Sequence, residues 1–175
     1  QGYIQTTPIQ LCLMTAQIAN GGHKIYPQIV VNNDIKNQPN DKYKKLYKSY
    51  KNIKIIQDAM FGSTNEVMGT SYRSRINDPK YQFAGKTGTA QVKKITEKDR
   101  LLDLKTFEIP YEERDHALYI AFGPYKNPRY ALSILVEHGG NGSTTAAPMA
   151  KELFKLIIDR HPLRESIYDK KYLEI

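Results

Sequence analysis

Between positions 9 and 19 most residues are apolar: Ile9, Leu11, Cys12, Leu13, Met14, Ala16, Ile18 and Ala19, interrupted by Gln10, Thr15 and Gln17. Apolar residues on most faces predict a buried helix. Its start is marked by Thr7 as the cap, Pro8 at the first helical position and Gln10 where a capping-box partner belongs. Asn20-Gly21-Gly22 ends it. Cys12 lies inside this helix and reads as a small buried hydrophobe.

Alternation predicts a short strand over 24–31, followed by a polar loop or loose hairpin over 32–49. Ile53, Ile56 and Met60 have helical spacing, predicting a helix over 51–67 that stops near Gly69. A polar connection then closes on Asn77-Asp78-Pro79. Three strands dominate the second half, at 81–92, 117–122 and 130–136. The last two flank the turn-rich Gly123-Pro124-Tyr125-Lys126-Asn127-Pro128 and predict an antiparallel hairpin. Both are apolar at successive positions, so both faces of the sheet should be covered, by helices. The link over 93–116 is long and charged, with a helical turn expected at Leu101, Leu102 and Leu104; such links are functional or mobile. After Gly139-Gly140-Asn141-Gly142-Ser143 comes a helix with Ala150, Leu153, Phe154 and Ile157 on one face, closed by His161-Pro162. The domain is read as 1–160, with 161–175 as a charged tail.

Composition changes this picture little. With 175 residues, 40% hydrophobic and 25% charged, the chain has the makings of one packed domain or most of a larger one. No apolar run approaches the length of a membrane span, and no leader pattern is present. The first residue is Gln1, which suggests a piece of something longer. A single cysteine excludes an internal disulfide and a multi-cysteine zinc site. The net charge of +8 is concentrated between Asp34 and Lys54, where seven lysines face two aspartates. Such a run is read as a solvated surface segment, since no arginine cluster or RNP-like aromatic motif accompanies it.

The candidate chemistry lies in Ala84-Gly85-Lys86-Thr87-Gly88-Thr89-Ala90-Gln91. An ammonium and two hydroxyls near one strand edge suit a carboxylate. Alternation puts Lys86 and Gly88 on one face and Thr87 and Thr89 on the other, unless an edge twist unites them. Gly88 lets a ligand backbone lie close along the strand, and the Thr89 N–H could point at a developing oxyanion. Other candidates are weaker. His23, His116, His138 and His161 lack ligand spacing, so no metal site or cofactor is expected. Asp115 and His116 are neighbours on a strand and should point to opposite faces. The glycines from Gly139 lack phosphate-loop spacing, and Tyr125 reads as packing.

With these motifs the sequence resembles the penicillin-binding transpeptidases, relatives of the serine β-lactamases, in which K-[ST]-G is a signature. The resemblance runs from Gln1-Gly2-Tyr3 and Thr7-Pro8 through Lys86 to Gln91 and Arg114-Asp115-His116-Ala117-Leu118. It continues over Ala121-Phe122-Gly123-Pro124 and Asn127-Pro128-Arg129-Tyr130, and closes on Glu137-His138-Gly139-Gly140. Gln91 after the motif and the Arg114–Leu118 segment point to the elongation-type class B branch, the penicillin-binding protein 2 group. The resemblance implies an α/β (α+β) fold, an antiparallel sheet flanked by helices, of which this is the C-terminal part. It implies cross-linking of peptidoglycan stem peptides at D-Ala-D-Ala through an acyl-serine that β-lactams also form. Lys86 would support proton transfer, Thr87 and Thr89 would hold the substrate carboxylate, Gly88 would admit its backbone, and the Thr89 N–H would be one oxyanion donor. It further implies a rod-shape SEDS glycosyltransferase as partner and a membrane-anchored parent on the periplasmic face of the bacterial inner membrane.

The departure is that no serine in this sequence has Lys three positions later, as S-x-x-K requires. Ser63-Thr64-Asn65 matches S-x-N formally but lies in the predicted helix, where the family has no such motif, and is read as coincidental. The nucleophile is therefore expected before Gln1, and the piece alone is expected to be inactive. A non-catalytic remnant or binding module of the same fold is the alternative, and a basic nucleic-acid-binding domain a weaker one.

Overall fold

The computed structural model describes residues 4–29, 41, 43–93 and 104–160. Among the described residues three helices and three strands carry the fold: α1 (Pro8–Ala19), α2 (Tyr50–Asn65), β1 (Ala84–Ala90), β2 (His116–Gly123), β3 (Tyr130–Val136) and α3 (Ala147–Arg160). The strands form an antiparallel sheet in the order β1-β2-β3. Thr87 pairs with Tyr119, and Tyr119 with Ile134. The antiparallel β2–β3 hairpin agrees with the sequence reading.

Strand alternation builds two cores. Ala117, Tyr119 and Ala121 pack with Phe83 against Ala147, Ala150, Phe154 and Ile158 of α3. The Phe83 and Phe154 rings stack with centroids 4.9 Å apart. On the opposite face Ala84 and Phe122 meet Met60 of α2 and Ile18 and Ala19 of α1. The N-terminal and C-terminal helices therefore cover opposite faces, which is why β2 is apolar at successive positions.

The α1 start has the expected capping box: the Gln10 amide donates to Thr7 Oγ1, and the Thr7 amide to Gln10 Oε1 at 2.8 Å. Gly21 and Gly22 follow with positive φ of 86° and 85°. A π-helical turn, Gly142–Ala146, leads into α3, with Asn141 accepting from the Ser143 amide at 2.8 Å.

Several expectations are corrected. The described part of 24–31 holds no strand; Pro27 lacks an amide donor there, and beside it His23 and Lys45 form an isolated antiparallel bridge. Helix α1 is not buried: Thr15 is its one buried residue, and Ile9 and Met14 are exposed, because the helix touches the sheet along one side. Cys12 is half-buried, its thiol 3.5 Å from the Ala131 carbonyl and its pKa raised by desolvation. Helix α2 ends at Asn65, and its buried stripe is Gln57, Met60 and Thr64 rather than one through Ile56. In α3 a four-residue spacing buries Ile158, while Leu153 faces outward. The strand expected over 81–92 is shorter at both ends. The expected turn at Leu101 and Leu102 and the tail over 161–175 lie outside the described residues, as do Gln1, Gly2 and Tyr3.

Candidate active site

β1 pairs with β2 on one side, and its other edge faces α2 and the turn that follows it. The Asn65 side-chain amide donates to the Phe83 carbonyl at 2.9 Å, and the Lys86 ammonium donates to the Thr87 carbonyl at 2.9 Å. Both carbonyls belong to residues turned away from β2. In a strand the N–H and C=O of one residue point the same way, so Thr89, two positions on, also presents its backbone N–H at this edge.

Lys86 and Thr87 leave the strand on opposite faces but meet at its edge. Lys86 is exposed, and its Nζ lies 3.3 Å from Thr87 Oγ1. The length of the lysine side chain lets its ammonium reach round the strand to the neighbouring threonine. Thr87, Gly88 and Thr89 are half-buried, and a Cβ on residue 88 would crowd Leu118 Cβ at 3.3 Å. An ammonium, a hydroxyl and an outward amide thus line one short length of edge, an arrangement that receives an anionic carboxylate and a chain lying alongside.

Two polar residues at this edge were missed or set aside by sequence reasoning. Thr70 Oγ1 lies 3.4 Å from Thr87 Oγ1 and 3.2 Å from Ser63 Oγ. Ser63, Thr70 and Lys86 line a common open groove of about 720 Å³, whose floor includes Ile18, Met60 and Ile120. Neither Ser63 nor Thr70 stands at strand spacing from Lys86, so only the return of the chain past β1 brings them there. Asn65 serves as a fastener of β1 through Phe83.

The remaining candidates engage other partners. Asp115 Oδ1 accepts from the Val92 amide at 3.2 Å, while His116 Nδ1 accepts from the His138 amide at 2.9 Å, so the two neighbours do not act on each other. His138 Nδ1 lies 3.1 Å from the Arg114 carbonyl. Tyr125 packs on Phe61 at 4.2 Å between centroids, and its hydroxyl donates to Asp58. The glycines after His138 form the turn into α3; Gly140 has φ of 76°, and its amide donates to the Asp115 carbonyl at 2.8 Å. Among the described residues no helix is long and apolar enough to cross a membrane.

Comparison with known proteins places these features in one family. Residues 1–155 match the family described as penicillin binding protein transpeptidase domain. Peptidoglycan D,D-transpeptidase MrdA of Salmonella typhimurium is 32% identical over 165 residues, covering 91% of this chain and 26% of that protein. The penicillin-binding protein PBP2 of Helicobacter pylori, solved as a complex with MreC, superposes with a TM-score of 0.71 at 32% identity, covering 93% of this chain and 26% of that one. PBP2 of Pseudomonas aeruginosa, solved with WCK 5153, gives 0.68 at 33% identity, covering 90% and 31%. The chain spans about a quarter of the length of the curated relatives it matches.

Proposed function

The chain belongs to the penicillin-binding protein transpeptidase family, and from that premise we propose that it supplies the substrate-carboxylate side of a peptidoglycan D,D-transpeptidase site. The observation that carries the reading is the β1 edge, where Lys86 Nζ sits 3.3 Å from the Thr87 hydroxyl beside the outward Thr89 amide. Residues 1–160 act as the C-terminal portion of the catalytic domain, with 161–175 as its tail. The whole protein provides the S-x-x-K serine and lysine from a segment other than this one.

In this reading the stem peptide lies antiparallel along β1. Its terminal D-Ala carboxylate meets the Thr87 and Thr89 hydroxyls with Lys86 supplying positive charge, and Gly88 leaves room for its backbone. The serine Oγ bonds to the penultimate D-Ala carbonyl carbon, the terminal D-Ala leaves as the amine, and a second stem's amine takes the acyl group. The Thr89 N–H stabilises the oxyanion of each tetrahedral intermediate together with the serine's own amide. Lys86 supports the proton transfers by its charge. β-Lactams carry the same carboxylate and acylate the same serine. We place the activity in cell elongation, on the periplasmic face of the inner membrane, with a rod-shape SEDS glycosyltransferase as the partner that makes the glycan strands.

The test is acylation by fluorescent penicillin in the full-length polypeptide carrying the serine motif. Lys86→Ala should slow it about 10²-fold, the usual scale for losing one preorganised electrostatic group. Lys126→Ala, an exposed lysine of the β2–β3 turn, should leave it unchanged. Equal rates in the two variants would overturn the assignment.

A further inference from the structure

Tyr119 lies in the middle of β2 and is fully buried, yet its hydroxyl reaches past β1 to α2 and its following turn. The path exists because residue 85 is glycine: a Cβ there would sit 2.5 Å from Tyr119 Cζ. Beyond β1 the hydroxyl shares hydrogen bonds with Thr64 Oγ1 and Ser71 Oγ, each at 2.9 Å. Thr64 and Ser71 are themselves buried. Ser71 Oγ donates onward to the Ser63 carbonyl at 3.0 Å, and the Ser71 amide donates to the same oxygen at 3.0 Å. One ordering of protons satisfies the chain: Thr64 donates to Tyr119, Tyr119 to Ser71, and Ser71 to the Ser63 carbonyl.

The residue between this anchor and the free edge is Thr70. Gly69 brings the turn down onto the end of α2, where a Cβ would lie 2.5 Å from the Gly62 carbonyl oxygen. Ser71 then fixes the turn from beneath, and Thr70 is left exposed with its hydroxyl between Ser63 Oγ and Thr87 Oγ1. A buried, fully partnered network is rigid, and rigidity beneath an exposed side chain is what holds it to a fixed position.

The geometry points to Tyr119 as a positioning residue of the Lys86–Thr89 site, acting through Ser71 to hold the Thr70 hydroxyl against Thr87 and so to orient the Thr87 hydroxyl for the ligand carboxylate. This rests on the proposed reading of the β1 edge as the carboxylate site. Thr70 is the further polar contact of that site, and Tyr119 is its support.

The experiment compares acylation of the full-length polypeptide by benzylpenicillin and by its methyl ester, which lacks the carboxylate charge. Tyr119→Phe keeps the ring and removes only the hydroxyl. Tyr119→Phe and Thr70→Ala should each slow acylation by benzylpenicillin roughly ten-fold and slow the ester far less, since the loss falls on carboxylate binding. The double variant should be no slower than either single one, because the two residues act in series. Thr70→Ser should restore the wild-type rate. Losses that multiply in the double variant, or that fall equally on ester and acid, would mean Tyr119 serves stability alone and would overturn the inference. Lys86→Ala is run in parallel: if it slows acylation while Tyr119→Phe and Thr70→Ala do not, the inference alone falls. If Lys86→Ala has no effect, the reading beneath falls and the inference with it.

Discussion

Gly85 and Tyr119 occupy one space: the phenol of β2 passes where a side chain on β1 would stand, with Tyr119 Cζ 2.5 Å from the position of a Cβ on residue 85. The ring cannot swing aside, because its hydroxyl is tied to Thr64 and Ser71. Gly85→Ala should therefore act as overpacking, destabilising the fold by about 1–3 kcal/mol or displacing β1 from its register with β2. Urea unfolding of the full-length polypeptide measures it. Gly85→Ala combined with Tyr119→Leu should recover part of the lost stability, and the absence of any recovery would refute the steric account.

Phe154 is the anchor between α3 and the sheet. It is fully buried, stacks on Phe83 at 4.9 Å and touches the space beside Gly123. Phe154→Ala should cost about 3–5 kcal/mol, the transfer term plus the cavity left between two rigid elements. Leu153→Ala, one position away but exposed, should cost well under 1 kcal/mol. Chemical denaturation of both variants checks the pair, and similar losses would mean the helix sits with its other face to the sheet.

The legible and illegible parts of this chain divide by the range of the interaction that decides them. The Thr7–Gln10 cap and the β2–β3 hairpin follow from neighbours in sequence or from two-faced apolar runs, and both are present. Lys86, Thr87, Gly88 and Thr89 stand out as candidates in the sequence because they are consecutive and share a family motif. Which residues of α2 face inward was not legible: Ile56 is apolar and exposed, whereas Gln57 is polar and buried, its amide donating to the Ile18 carbonyl at 2.7 Å. Only the arrival of α1 at that spot makes a glutamine the better core residue. Thr70 and Tyr119 were silent for the same reason, since their roles depend on contacts 17 and 48 positions away.

Two surface carboxylates should make a small acid-sensitive contribution to stability. The Asp58 carboxyl is held below its ordinary value of 3.8 by the Tyr125 hydroxyl and then by Lys54 at 2.9 Å. The Asp159 carboxyl is lowered likewise, by the Tyr81 hydroxyl and then by Lys80 at 2.9 Å. Their stabilisation is fully present above the unfolded value of 3.8 and is lost as pH falls from there through the lowered folded values, because the unfolded chain binds protons first. Both groups are exposed, so solvent screening keeps the contribution small. The Asp58→Asn/Asp159→Asn variant should be less stable near neutrality and should show a shallower fall in stability in acid. Denaturant titrations at stepped pH would show it, and parallel curves for variant and wild type would exclude the two carboxylates as the source.

The described ends of the link between β1 and β2 are fastened to the strands they flank. Asp115 accepts the Val92 amide on its side chain at 3.2 Å and the Gly140 amide on its carbonyl at 2.8 Å. Lys93 pairs with Glu113 at 2.5 Å, and Arg114 Nε donates to the Ile109 carbonyl at 2.9 Å. One carboxylate thus ties the exit of β1 to the entry of β2, next to the turn that leads into α3. Asp115→Ala removes the bond to Val92 and leaves the backbone bond to Gly140 in place. Hydrogen exchange at Val92 should accelerate about ten-fold, the worth of one hydrogen bond of roughly 1.4 kcal/mol opening locally. Amides of β2 and β3 opposite each other, such as Tyr119 and Ile134, should exchange as before, since their opening does not pass through this contact. If Val92 were unchanged, the segment after β1 would be held by something other than Asp115; if β2 accelerated equally, the contact would support the whole sheet rather than its exit.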